Sequence, residues 1–161
     1  MKRLNFDELY ETELLFERFV NSSHPLPKIS SEQANQLAQM MTLDQQVEHY
    51  QELKGAGANL DINQLLEEVE PFTALHNFYD FVDNGVDINR LAERVFEDEN
   101  FDVFFEDDVI DKLLEGGANP EKLFELCRPA IQNNEDDEEV NAFVNRFRGY
   151  LPNNKLKQFL R

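Results

Sequence analysis

The side chains able to do chemistry in this 161-residue chain are three histidines, one cysteine and a large excess of carboxylates. His24, His49 and His76 stand apart. None belongs to a His-Glu-x-x-His or Glu-x-x-His pattern, the spacings that set metal ligands on one helix face. His24 precedes Pro25 in a Ser-Ser-His-Pro-Leu-Pro loop, and the other two fall within helical segments, where a histidine is ordinarily a surface or satisfied residue. Asp80, Asp83, Asn84, Gly85 and Asp87 have the look of a calcium loop. With Asp80 at position one, however, Val82 and Leu91 stand where two essential oxygen ligands belong. The glycines are turn glycines, and no phosphate-cradling loop with its lysine is present. The expectation is a non-enzymatic protein with no catalytic residue, cofactor or specific metal.

The densest signal is acidic. Residues 97–111 hold eight carboxylates and no basic residue, interleaved with Phe101, Phe104 and Phe105. One reading is a solvated loop and an acidic first helical turn, which the helix dipole favours. The other is a docking surface for a basic protein: Glu97, Asp98, Glu99, Asp102, Glu106, Asp107 and Asp108 steer the encounter, while Phe101, Phe104 and Phe105 supply buried anchors. Three phenylalanines in so short a segment cannot all face one core, which keeps the docking reading open.

Charge bears on partner and compartment. The chain carries 33 acidic and 15 basic residues, a net −18. Such a field opposes direct binding to nucleic acid or to an anionic membrane. No apolar run approaches membrane-spanning length. The opening Met-Lys-Arg is followed by Asp7, Glu8, Glu11 and Glu13, where a signal peptide needs apolar residues. A single cysteine suits a reducing compartment, so a cytoplasmic location is expected. All 33 acids precede residue 140, whereas residues 140–161 contain Arg146, Arg148, Lys155, Lys157, Arg161 and no acid. That tail could cap the acidic body, bind an acidic partner, or meet a second copy head to tail.

The elements that position these groups are helical. Apolar residues recur at three- and four-residue spacing, as in Phe6, Leu9, Tyr10, Phe16, Phe19 and Val20. Asn5 with Glu8, Ser30 with Gln33, Thr42 with Gln45 and Asp61 with Gln64 have capping-box spacing, and Asn119-Pro120 is a further helix start. The chain reads as eight to ten short helices, over 6–20, 31–41, 43–55, 62–69, 72–84, 88–96, 104–116, 120–130, 136–148 and 154–160.

Three stretches repeat, centred on Gly57, Gly85 and Gly117. Apolar residues stand seven and four positions before each glycine: Tyr50 and Leu53, Phe78 and Phe81, Ile110 and Leu113. A small or β-branched residue follows the glycine, then Asn59, Asp87 or Asn119. Farther on come Leu65 and Val69, Leu91 and Val95, Leu123 and Cys127, which makes Cys127 a small core residue. Glycine at the position after the helix permits the left-handed turn, and Asn or Asp then caps the next helix. Leu113-Leu114-Glu115-Gly116-Gly117-Ala118-Asn119-Pro120 resembles the end of an ankyrin repeat, and Thr73-Ala74-Leu75-His76 resembles the Thr-Pro-Leu-His that opens one. Yet only twelve residues separate Thr73 from Gly85, room for a single helix where an ankyrin unit fits two. The similarity, over about residues 47–130, is therefore to ankyrin-like helical hairpins and not to a regular ankyrin array. It implies a binding scaffold with a concave face and no chemistry of its own.

The expected architecture is a single all-α domain: a short α-solenoid of stacked hairpins over 43–130, capped by atypical helices at 1–42 and a basic hairpin at 131–161. The expected function is protein–protein interaction through the acidic, aromatic segment. The alternative is a nucleic-acid mimic of the antirestriction or anti-CRISPR type, an inhibitor occupying the basic groove of a DNA- or RNA-binding protein.

Overall fold

Side-chain caps decide where most of the helices begin. In the computed structural model, which describes residues 6–97 and 108–161, Ser30 and Thr42 accept hydrogen bonds from the Gln33 and Gln45 amides. The two glutamine side chains in turn accept from the Ser30 and Thr42 amides. Both capping boxes are thus closed. Asp61, Asp87, Asn119 and Asp136 each present a side-chain oxygen to first-turn amides. Pro120 follows Asn119 at the one helical position where a missing N–H is harmless. Asn5 lies outside the described residues.

Among the described residues the order is α1 (Phe6–Phe16), continuing as a π-helical turn (Glu17–Asn21), then α2 (Ser31–Met40), α3 (Leu43–Glu48), α4 (Tyr50–Gly55), α5 (Ile62–Glu68) and α6 (Pro71–His76). After these come α7 (Phe78–Asp83), α8 (Ile88–Phe96), α9 (Val109–Glu115), α10 (Pro120–Asn133), α11 (Asp137–Asn145) and α12 (Asn153–Lys157). No strand occurs among the described residues, and the chain is all-α as expected.

The three glycine turns share one geometry. Gly57, Gly85 and Gly117 all have positive φ, at 100°, 77° and 93°. Each glycine amide donates three residues back, and the next amide donates five back: Ala58 to Leu53, Val86 to Phe81, Ala118 to Leu113. This is the Schellman closure, with its apolar contact between the residue after the glycine and the one four before it. All six of those apolar residues are buried. The next amide along is held by the side chain of an earlier helix. The Asn59 N–H donates to Asn35 Oδ1 (2.6 Å), Asp87 to Asn63 (2.7 Å) and Asn119 to Asn89 (2.7 Å).

Several boundaries differ from the sequence reading, each beside an identifiable contact or burial. The expected 43–55 helix breaks at His49, whose ring lies 4.7 Å from that of Phe19. The expected 72–84 helix breaks at Asn77, whose buried amide donates to the Thr73 carbonyl (3.1 Å) and to the Asp44 carboxylate. Such side-chain to backbone bonds compete with the helical ladder. Thr73-Ala74-Leu75-His76 accordingly lies inside α6 and opens no repeat. Asn59 is not a cap; the two-residue insertion hands that role to Asp61. α10 runs past 130 and through Pro129 to Asn133, because Ala130 and Ile131 are buried and packing overrides the lost bond. Tyr10, placed in the apolar stripe of α1, is 62% exposed.

Two apolar clusters hold the helices. The larger runs from Val47 to Leu156 and includes the fully buried Phe78, Phe81, Phe124, Phe143 and Phe147; the smaller gathers Phe19, Ala34, Leu37, Ala38, Met41, Leu53 and Ala58. α8 packs against α5, α6, α9 and α10. The basic tail folds back chiefly through its rings, with Phe147 and Phe159 at 5.1 and 4.8 Å from Phe124 and the Arg128 guanidinium over Phe159. Arg161 adds an ion pair to Asp137 (3.3 Å) and hydrogen bonds to the Asn134 and Ile131 carbonyls.

Candidate partner-binding face

Of the acidic segment singled out in the sequence, Glu97 and Asp108 are described; Asp98, Glu99, Phe101, Asp102, Phe104, Phe105, Glu106 and Asp107 lie outside the described residues. Glu97 is exposed and pairs with Arg94 at 2.6 Å. Asp108 accepts a hydrogen bond from the Tyr79 hydroxyl, so the end of the segment meets α7.

That contact points to residues the sequence reading passed over. Phe72 and His76 stand four apart on α6, and Tyr79 and Asp83 four apart on α7, each pair with the spacing of one helix face. All four are exposed, Phe72 at 68% and Tyr79 at 49%. The Phe72 and His76 rings stack with centroids 6.2 Å apart. Beside this stripe Asp80 faces Glu48 and Asp44 of α3 and Asp83 of its own helix. Burial first, and then those three carboxylates, hold the Asp80 carboxyl above its ordinary range, against a smaller opposing pull from His49. None of the four carboxylates has an ion-pair partner among the described residues, and α3, α6 and α7 contain no lysine or arginine. The legible signal would have been Phe72 and Tyr79 seven residues apart, with no place in the repeat pattern.

The second helices of the glycine turns differ in their charge. Arg90 of α8 bridges to Glu67 of α5 through two bonds (2.5 and 2.8 Å) and to Glu93 (2.8 Å). The Arg90 guanidinium holds the Glu67 carboxyl below its usual range. Arg94 pairs with Glu97 and also donates to the Leu66 and Val69 carbonyls, and Arg128 of α10 pairs with Glu125 (3.5 Å). Cations are thus spent on α8 and α10, and the carboxylates about α3, α6 and α7 are left without them.

Cys127 is fully buried, and burial pushes its thiol upward, away from the reactive thiolate. Among the described residues no three His, Cys, Asp or Glu side chains converge as a metal site, and no helix is long and apolar enough to cross a membrane. No protein-family model matches the chain, and no curated protein or solved structure matches it either.

Proposed function

We propose that the chain is a protein-binding module: a short solenoid of ankyrin-like helical hairpins that takes a basic partner on the face formed by α3, α6 and α7. The observation that carries this reading is the exposed stripe of Phe72, His76 and Tyr79 beside four carboxylates with no cation on their own helices. Exposed rings next to unneutralised charge suit an interface in which aromatic anchors are buried and acids steer the approach. Asp108 adds a further carboxylate at Tyr79 of the same stripe.

The test is recovery of a partner from a lysate by wild type, by Phe72→Ala with Tyr79→Ala, and by Asp80→Asn with Asp83→Asn, each at low and high salt. Loss of a salt-resistant partner with the aromatic pair supports the module. A partner that leaves in salt and with the charge pair alone, and that itself binds nucleic acid, replaces the module with the mimic. Equal recovery by all three proteins removes this face from either account.

A further inference from the structure

A second site, lined by none of that face's residues although His49 on its wall lies within electrostatic reach of Asp80, is formed by the chain ahead of α2 and the end of α4. Between Ser22 and Ser30 the backbone forms no helix; this strap is tied to the π-helical turn by the His24 amide, which donates to the Arg18 carbonyl (2.9 Å), and lines a common hollow with the end of α4. Beneath it are two adjoining hollows, of about 840 and 600 Å³, which share Phe19, His24, Pro25 and Pro27 as a common wall. The larger also has Lys28, His49 and Glu52 on its walls, and the smaller has Arg18. The larger volume is that of a small-molecule site.

Charge distinguishes this place within residues 6–97. Residues 6–97 contain five lysines and arginines. Lys54 donates to the Leu60 carbonyl at 2.7 Å, and Arg90 and Arg94 pair with glutamates. The remaining two, Arg18 and Lys28, make no ion pair among the described residues, and these are the two that line the hollows. His24 and His49 stand on the same walls, with Glu52 as the single lining carboxylate. In a chain with 33 acids, a lysine and an arginine without carboxylate partners are available to an anion from outside.

The backbone around the hollows is unusual in two independent respects. The wall residues Arg18 and Phe19 sit on the π-helical turn, a form that recurs at functional sites. Ser23, on the rim, holds φ at +55°, a left-handed conformation uncommon outside glycine. The ring pair of Phe19 and His49, 4.7 Å between centroids, gives the larger hollow an aromatic wall. Leu26 and Ile29 add apolar surface.

We propose that the hollow beneath the strap binds a small anion with a flat apolar body, an aromatic carboxylate being the simplest. The carboxylate sits toward Lys28 and the imidazoles, Arg18 in the adjoining hollow adds to the positive field, and the ring lies against Phe19, Leu26 and Ile29.

The three histidines supply their own control, since His76 stands on α6, away from the strap. In imidazole NMR spectra of the intact chain, 1-naphthoate should move the His24 and His49 resonances and leave His76 in place. Uncharged 1-naphthylmethanol should bind more weakly, and Arg18→Gln with Lys28→Gln should lower the affinity for naphthoate about fivefold or more. Glu52→Gln, which removes the opposing charge, should raise it. Equal binding of the alcohol, an equal shift at His76, unaltered affinity in the charge variants, or no shift at millimolar naphthoate each overturns the proposal.

Discussion

Gly57 and Gly85 occupy the same turn with the same sign of φ, but their surroundings differ. A Cβ on Gly57 would stand 2.2 Å from Ser31 Oγ, whereas one on Gly85 would meet nothing within 4 Å. Gly85→Ala should therefore carry only the left-handed backbone penalty, about 1–2 kcal/mol. Gly57→Ala should exceed it by the cost of displacing the first residue of α2, and urea unfolding of the two variants checks the order. Asp80 gives the pH-dependent case. Its folded-state carboxyl titrates above its ordinary value, so its ionised form opposes folding, and that opposition is relieved as pH falls through the raised value. Asp80→Asn should thus be more stable than wild type at neutral pH, with the difference shrinking toward acid. A difference that widens on acidification would contradict this sign.

Between neighbouring helices, the bonds from Asn35, Asn63 and Asn89 to the turn amides are the most regular link. Asn63→Ala should cost about 1 kcal/mol, the net worth of such a bond, and should speed hydrogen exchange of the Asp87 amide in particular. Unchanged exchange at Asp87 would show that water serves that amide as well. Much of this scale was legible in the chain. The glycine spacing, the flanking apolar pairs and the caps at Ser30, Thr42, Asp87 and Asn119 all follow from local rules. The asparagine links were written too, as Asp61-Ile62-Asn63 and Asp87-Ile88-Asn89, but their meaning depends on contacts 24 and 30 residues away. The breaks at His49 and Asn77 were illegible for the same reason, since Phe19 and Asp44 reach them across the sequence. So was the candidate face. Phe72 and Tyr79 look like core residues until packing leaves them outside.

Across the whole molecule the net charge of −18 acts against compactness. Raising sodium chloride from about 10 to 150 mM shortens the screening length from about 30 to 8 Å. The melting temperature should therefore rise by several degrees over that range, since the local pairs of Arg90, Arg94 and Arg128 lose less than the global repulsion does. A flat or falling melting temperature would mean that those pairs dominate. The asparagine links have a direction as well. In every instance the side chain that accepts belongs to the earlier segment, and the turn that donates comes later. During synthesis each emerging turn therefore finds its acceptor already translated, and units can close one after another from the amino end. A circular permutant opened between Asn63 and Asp87 would reverse that timing for one turn, releasing it from the ribosome before its acceptor exists.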